Sequence, residues 1–193
     1  MTEPKRITKN KIWYLYCILD YIMQPFSFLL APFIVWFAYP QEGYSNNGSE
    51  WKLEPRLPKL LSGFQTPDNS LYGDYGWQNI HCPENWNNWK GMIGWLWRNR
   101  LHGFAWNTFG VIVEEPVTYT GVFAPSQNPV NLGTMRCKCG DAWEFKKVAK
   151  IPGTNYAVIF HYGWLLHPYV SGPLPWYNKR AKFKATVKFG SMG

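Results

Sequence analysis

The stretch Ile12–Tyr39, IWYLYCILDYIMQPFSFLLAPFIVWFAY, contains no lysine or arginine and one acidic residue, Asp20. A helix needs about 20 apolar residues to cross the hydrocarbon core of a bilayer, and this stretch is longer. Aromatic residues crowd both of its ends, as they do at the two interfaces of membrane-spanning segments. The stretch therefore predicts a membrane segment, and the remainder of the chain predicts a Trp-rich domain tied to that membrane.

Two prolines complicate the simplest arrangement of this segment. Pro25 and Pro32 each remove a backbone donor and tend to kink a helix. One tilted and kinked span is the preferred prediction. The alternative is two short helices, Ile12–Met23 and Phe26–Tyr39, that form a re-entrant hairpin or lie in the membrane interface. A buried hairpin in a soluble core would need a larger apolar partner than the remaining chain offers.

Asp20 and Gln24 are the embedded polar residues of the segment. A carboxylate near the middle of a bilayer is costly unless it is neutral, paired or turned toward protein. Gln24 and Ser27 lie close to Asp20 in the sequence, and we expect their polar side chains to help accommodate its carboxyl group.

Charged residues on either side of the segment predict its orientation. Four basic residues and one acidic residue precede it, whereas Glu42, Glu50 and Glu54 follow it with one lysine. The positive-inside rule then predicts a cytoplasmic N terminus and an extracytoplasmic domain. The apolar run is too long for the h-region of a signal peptide, and no A-x-A-like site closes it, so an uncleaved signal anchor is expected.

The composition favours a protein that works at a membrane surface. The net charge is +8, and the chain after residue 39 keeps +6 of it. Basic surfaces bind anionic lipid, nucleic acid or acidic partners, but no run of consecutive basic residues marks a nucleic-acid arm. Lipid headgroups or solubility are the more economical explanation. The 12 tryptophans suit a membrane interface or a protein partner.

The four cysteines leave three alternatives open. Cys17 lies in the membrane segment and is interpreted as a small apolar residue. Cys82, Cys137 and Cys139 are sufficient for one disulfide and one leftover thiol if the domain is extracytoplasmic. With His81 they also make four nominal zinc ligands, but the spacing is not that of ordinary zinc modules. Free thiols are the third alternative, and we expect no metal and no cofactor.

Composition divides the chain into a basic tail at 1–11, the membrane segment at 12–39, a Pro/Gly-rich connector at 40–67 and a Trp-rich α+β domain at 68–193. The prolines of the connector are expected to prevent regular structure over much of its length. The domain begins with the polar loop TPDNSLYGDYGW, in which Asp68, Asn69 and Asp74 partly resemble a calcium loop. Asn79 occupies the position of the bidentate glutamate, so a loop held by Asx turns is the better interpretation.

The segment Trp86–Trp106, WNNWKGMIGWLWRNRLHGFAW, predicts a Trp-dense helix. Three interpretations compete: a core helix with basic ends, an interfacial helix with arginines on lipid phosphates, and a platform for glycan or nucleic acid. Glycines within the segment argue against an uninterrupted helix. The candidate residues for a membrane interface or a partner are Trp89, Trp95, Trp97, Arg98, Arg100 and Trp106.

Strand patterns begin at residue 110. GVIVEEPVTYTGVFA alternates around a proline, and Gly133–Cys139 predicts a short strand. Ala142–Lys150 and Tyr156–Leu166 flank the turn PGTN and predict a hairpin. The last strand, Lys182–Phe189, alternates strictly between a basic face and an apolar face, as a half-buried strand does. An N-terminal transmembrane or membrane-embedded helix, a Trp-rich helix and a small antiparallel sheet place the protein in the α+β class.

No catalytic motif stands out. The sequence contains no G-x-S-x-G, H-E-x-x-H, P-loop or G-x-G-x-x-G pattern. Glu114 and Glu115 are adjacent and would point to opposite faces of a strand. His102, His161 and His167 are isolated in the sequence, and a structural role is the default for each. We therefore expect no enzyme, with an enzyme acting on the cell wall as the alternative.

The runs TPDNSLYGDYGW and GMIGWLWRNRLHGFAW, followed by a β-rich tail with FHYGWLL, resemble a family of small proteins encoded by tailed bacteriophages. The resemblance covers Leu53 to the C terminus. Its most specific parts are the (D)NSL-x-GD-x-GW loop and the WLWRN-x₃-GFAW segment. The resemblance implies a phage origin and supplies no catalytic residues.

The leading hypothesis is a non-enzymatic phage protein anchored in the host inner membrane. Its partners would be the lipid bilayer and a host or phage protein, in superinfection exclusion or envelope remodelling, and self-association stays open. The alternative is a structural virion or ejection protein that inserts in the membrane and assists DNA passage. Nucleic acid is a partner only under that alternative, where the basic domain would face it.

Overall fold

The computed structural model describes residues 12–44, 51–74, 76–77, 89–113, 116–172 and 180–192. Contacts between Cα atoms divide the chain into two compact units. The helical unit is Leu19–Thr108, and the sheet unit combines Met1–Ile18 with Phe109–Gly193. This division follows contacts in space, whereas the boundaries predicted from composition follow the sequence, and those boundaries stay predictions.

Helix α1, Trp13–Ile34, is a single helix of 22 residues that contains both Pro25 and Pro32, and a short 3₁₀ turn, Val35–Phe37, continues it. The structure therefore agrees with the prediction of a single helix and not with the alternative of two short helices. The span Trp13–Phe37 has a mean hydropathy of 1.6, and 22% of its most apolar window is buried. By length and composition, it is the one helix of the described residues that is able to cross a membrane. This helix is therefore a candidate membrane anchor or signal sequence.

The helical unit joins the rest of α1 to short elements. Strands β1 (Tyr39–Tyr44) and β2 (Trp51–Arg56) pair antiparallel, and the 3₁₀ helix Lys59–Phe64 follows. Helix α2, Trp89–Arg98, precedes a π-helical turn, Phe104–Thr108. The core of this unit is a cluster of buried apolar residues from α1, the 3₁₀ turn after it, the chain after β2 and α2: Ala31, Ile34, Val35, Leu57, Leu71, Ile93 and Leu96.

The prediction that prolines prevent regular structure over much of the connector is wrong. Pro40 lies in β1 directly opposite Pro55 in β2. A proline removes one ladder donor, which an edge strand tolerates, and both strands of a two-stranded ribbon are edges. The two prolines therefore occupy one cross-strand pair and leave the rest of the ribbon intact.

The predicted Trp-dense helix is present as α2, but it ends at Arg98. Leu101, three residues later, has a φ angle of +55°, which a continuing helix does not allow. Gly103 then passes so close to the chain before it that a Cβ atom would overlap the Ser62 carbonyl oxygen and lie 2.8 Å from that of Gln65. This backbone approach requires glycine, and it ties the end of the segment to the 3₁₀ helix Lys59–Phe64.

The sheet unit contains nine strands in the described residues. In chain order they are β3 (Val111–Ile112), β4 (Thr118–Gly121), β5 (Ser126–Gln127), β6 (Val130–Asn131), β7 (Gly133–Cys139), β8 (Ala142–Lys150), β9 (Tyr156–Trp164), β10 (Arg180–Ala181) and β11 (Phe183–Ser191). Five of them form an antiparallel sheet in the order β11-β9-β8-β7-β4. The other four form two small pairs, β3 with β10 and β5 with β6.

The α+β class and the main strands agree with the sequence patterns. β7 and β8 have the predicted bounds, and the predicted hairpin is the β8–β9 pair. The alternation of the last strand is only half correct. Phe183 and Ala185 are buried, but Val187 and Phe189 are exposed. The apolar face of β11 is covered at its start, where Phe183 packs on Trp164 and Phe109, and it is open toward its end.

Candidate membrane-binding site

The side of α1 that faces the protein carries small and polar residues. Cys17, Asp20, Ser27 and Ala31 are all buried, and Ile34 completes the row. Intervals of three, four and seven residues place them on one face of a helix. Such a face resembles those of membrane helices, in which small residues allow close packing and polar residues turn toward protein.

The opposite side of α1 is large, apolar and open. Its side chains, with two from the 3₁₀ turn that follows, are 43–71% exposed: Tyr14, Leu15, Ile18, Ile22, Phe26, Leu29, Leu30, Phe33, and Trp36 and Phe37 of the turn. An amphipathic helix of a water-soluble protein has the reverse arrangement, with its apolar stripe inside. Contiguous apolar surface of this size marks a site for a membrane or a protein partner.

Asp20 and Gln24 form the polar pair that their spacing predicts. The Gln24 Nε2 group donates to Asp20 Oδ2 at 2.7 Å, and Asp20 is 9% exposed. Ser27, one turn further along the same side, is also buried. The carboxylate is therefore paired and turned away from the apolar side of α1, so the apolar side carries no charge along this stretch.

Trp97 of α2 compensates for a defect in α1. In a helix the amide at position 32 would donate to the carbonyl oxygen of residue 28, but Pro32 has no amide hydrogen. The Trp97 Nε1–H group donates to that Phe28 oxygen at 3.0 Å instead. The Trp97 and Phe28 rings also stack, with centroids 4.6 Å apart and planes 19° apart. An indole from α2 thus satisfies a backbone group that the proline leaves unpaired.

The aromatic residues at the start of α1 do not all face outward. Within the sheet unit, the Trp13 ring meets Trp143 edge-on at 5.2 Å. Tyr16 stacks on Phe109 at 4.8 Å and contacts Phe183 at 5.7 Å. The first turns of α1 therefore dock on the aromatic face of the sheet, and the interfacial belt at this end stays a prediction.

The candidate interface residues of the Trp-rich segment do not form one surface. Trp95 is 2% exposed and belongs to the interior, and the Arg98 guanidinium lies over its ring at 5.7 Å. Trp106 is half-buried and stacks on His102, whereas Trp89 is 42% exposed. Trp97 and Arg100 lie against α1: Trp97 through the contacts above, and Arg100 through its guanidinium, 6.0 Å from the Phe28 ring centroid.

The polar loop before α2 is held by its own side chains. Asp74 Oδ1 accepts from the Trp77 amide at 2.7 Å, and Ser70 Oγ accepts from the Tyr72 amide at 3.3 Å. Asp68 is exposed and Asn69 is half-buried. The prediction of side-chain turns is confirmed at Asp74, which places this residue in a structural role.

A buried carboxylate lies within the sheet unit, on β8. The Glu144 side chain is fully buried. Its Oε1 accepts from His161 Nε2 at 2.7 Å and from His167 Nδ1 at 2.8 Å. Its Oε2 accepts from the amides of Leu166 and His167, each at 2.8 Å. Four donors therefore satisfy one carboxylate.

The protonation states of this cluster follow from its contacts. Burial alone would raise the pKa of the Glu144 carboxyl, but the bonds and charges of His161 and His167 lower it from 4.5 to about 2. Burial lowers the pKa of His161, with Lys184 and Lys146 acting in the same direction. Burial and the Glu144 carboxylate raise the pKa of the Cys137 thiol to about 12. The carboxylate is ionised and the thiol is protonated at neutral pH.

His161 and His167 lie far from Glu144 in the sequence, yet both meet its carboxylate, in keeping with the structural role expected for each. The signal lay in the hairpin register, which places Glu144 opposite Gly163 and therefore diagonal to His161 on the same face. Cys17, Cys137 and Cys139 are reduced. The nominal zinc set and the disulfide alternative also involve Cys82, and His81 with Cys82 lies outside the described residues.

The chain is thus an α+β protein with an N-terminal apolar helix of membrane-spanning length, whose small and polar side packs on the protein. The chain belongs to DUF7338, a family of unknown function, whose model matches residues 5–191. No curated protein and no solved structure matches the chain.

Proposed function

We propose that the protein is a non-enzymatic, membrane-associated protein, and that α1 lies in the membrane interface with its apolar side in the lipid. The observation that carries the proposal is the polarity of α1. Its small and polar residues face the protein, and its large apolar residues face outward. This arrangement is the reverse of that in a water-soluble protein, and it suits a helix whose outer surroundings are lipid.

The position of Arg100 within the helical unit supports a helix in the plane of the membrane over a crossing one. The Arg100 guanidinium lies 6.0 Å from the ring centroid of Phe28, which is near the middle of the 25-residue span. A crossing helix would hold this charge inside the hydrocarbon core, where it is costly. A helix in the interface keeps it at the level of the headgroups.

The basic N-terminal tail supports the cytoplasmic face of the membrane as the location. Lys5, Arg6, Lys9 and Lys11 precede α1, and such residues are attracted to the anionic lipids of that face. In this arrangement the tail and the chain after α1 lie on the same side, which replaces the crossing orientation that the flanking charges alone favour.

The resemblance to small phage proteins supports a viral origin, and we place the site of action at the inner membrane of the host. Exposed apolar residues outside α1, among them Leu60 and Phe189, offer further surface for a host or phage protein. A role in superinfection exclusion or envelope remodelling fits a membrane-bound protein that acts by binding.

The buried cluster supports a binding role over an enzymatic one. Among the described residues, two imidazoles and two backbone amides donate hydrogen bonds to the Glu144 carboxylate. The neighbouring Cys137 thiol is buried, and its pKa is raised to about 12. A protonated thiol is not a nucleophile. The cluster instead joins β8, β9 and the turn after β9 through hydrogen bonds.

Flotation with phospholipid vesicles tests the proposal. The wild-type protein is expected to float with vesicles. Phe33→Glu, which places a carboxylate on the outer side of α1, is expected to weaken partitioning roughly 10-fold or more, because burying a phenylalanine contributes about 1.5–3 kcal/mol. Phe189→Glu is the matched control, since Phe189 is a similarly exposed phenylalanine on β11. Wild-type protein that stays at the bottom of the gradient, or equal loss in both variants, contradicts the proposal.

A further inference from the structure

We infer that α1 and the residue Arg100 after α2 form a binding site for one anionic phospholipid, whose phosphate pairs with the Arg100 guanidinium. The inference rests on the proposed function and adds to it a ligand class and a site.

A groove of about 470 Å³ lies within the helical unit. It is lined by Tyr21, Gln24, Pro25, Phe28, Leu29 and Arg100. Pro25, Phe28 and Leu29 give it an apolar wall that is continuous with the outer side of α1. Its volume is in the range of sites for small ligands, so it accommodates the upper part of an acyl chain with its ester region, while the rest of the chain lies along α1.

Arg100 is held at the edge of this groove. Its guanidinium lies 6.0 Å from the Phe28 ring centroid, within the range of a cation–π contact. Phe28 is itself fixed by the stacked Trp97 ring and by the bond from Trp97 Nε1 to its carbonyl oxygen. Among the described residues, the contact with the Phe28 ring is the one interaction seen for the Arg100 guanidinium. The Arg100 side chain is exposed.

The chemistry of this pair of features fits a phospholipid. A guanidinium binds phosphate oxygens in a bidentate fork, which a single ammonium group does not reproduce. An apolar wall directly beside the cation suits a ligand that joins a phosphate to hydrocarbon. Phosphatidylglycerol fits better than phosphatidylcholine, because its headgroup carries no cation to compete with Arg100 for the phosphate.

Flotation with two vesicle compositions tests the inference: phosphatidylcholine alone, and phosphatidylcholine mixed with phosphatidylglycerol. Arg100→Gln is expected to weaken partitioning to the mixed vesicles about fivefold, the equivalent of about 1 kcal/mol per basic residue near an anionic surface. It is expected to bind phosphatidylcholine vesicles as the wild type does. Arg98→Gln removes the same charge from the end of α2, where Arg98 lies over Trp77 and Trp95, and it is expected to keep wild-type preference for the mixed vesicles.

The controls separate failure of the inference from failure of the proposed function. Arg100→Lys keeps the charge and is expected to retain part of the preference, which shows that the site is folded. Equal loss in Arg100→Gln and Arg98→Gln, or no loss in Arg100→Gln, overturns the lipid site while vesicle binding through α1 stands. If inorganic phosphate abolishes the wild-type preference, the site binds free phosphate and the assignment to lipid is wrong. Wild-type protein that binds neither vesicle contradicts the proposed function itself.

Discussion

The Trp97 indole occupies the acceptor that Pro32 leaves unpaired, and a double-mutant cycle measures that replacement. Trp97→Phe keeps an aromatic ring beside Phe28 and removes the Nε1–H donor. Pro32→Ala restores an amide hydrogen four residues after Phe28, where a helix donates to that carbonyl oxygen. The two substitutions therefore change two donors that compete for one acceptor.

The structure sets the expected size of the coupling. The Nε1–oxygen distance of 3.0 Å is that of a good hydrogen bond. Removing such a donor from an acceptor whose usual helical donor is missing costs about 1–3 kcal/mol. Trp97 is 38% exposed, so water partly replaces the lost donor and the lower end of that range, about 1 kcal/mol, applies. In the Pro32→Ala background the helix supplies its own donor, and the cost of Trp97→Phe is expected to fall close to zero.

Urea unfolding of the four proteins in mild detergent, followed by far-UV circular dichroism, gives the four free energies of unfolding. The expected coupling is about 1 kcal/mol, well above the scatter of about 0.3–0.5 kcal/mol for independent sites. Trp89→Phe is the matched control, because Trp89 is a similarly exposed tryptophan of α2, and it is expected to show no coupling to Pro32. If Trp97→Phe costs the same with proline and with alanine at position 32, the Trp97 indole does not replace the missing helical donor.

The remaining predictions concern the sheet unit and one glycine. The pKa of Glu144 is lowered to about 2 and that of His161 is also lowered, so acid is expected to destabilise the fold. The loss through His161 begins as the pH falls through 6.5, and the Glu144 contribution of about 3 kcal/mol is lost between pH 4.5 and 2. Thermal unfolding from pH 7 to pH 3 measures this decline, and Glu144→Gln is expected to flatten its lower part; an unchanged profile contradicts the assignment. Gly103→Ala is expected to lower stability by about 1–3 kcal/mol, because the new methyl group overlaps a backbone carbonyl. Gly76→Ala, whose methyl group meets one atom at 3.4 Å, is the control; equal melting temperatures of the two variants argue against the close approach.

The sequence was sufficient to predict elements whose patterns are local. The apolar length of residues 12–39 predicted α1, and alternation bounded by turns predicted β7, β8, β9 and β11 close to their observed ends. The turn PGTN predicted the β8–β9 hairpin because proline, glycine and asparagine suit its backbone. These signals depend on residues that are neighbours in the chain.

The remaining features depend on contacts between distant residues. Trp97 meets the Phe28 carbonyl across 69 positions, and no periodicity within α2 reports that pairing. Pro40 and Pro55 looked like breaks until the register placed them opposite each other. Likewise, Asp20 appeared as a costly charge in an apolar run, and only the packing of α1 shows that it faces the protein.

The position of α1 in the membrane interface, with its apolar side in lipid, is tested most directly by measuring membrane depth along the helix. A nitroxide placed in turn at Ile18, Ile22, Leu29 and Phe33 reports depth through its relative accessibility to oxygen and to a water-soluble nickel chelate. A similar, shallow depth of about 5–10 Å is expected at all four positions. A depth that rises to a maximum near the middle of the helix and falls again would show that α1 crosses the bilayer, and four labels open to the nickel chelate would show that it does not enter the membrane.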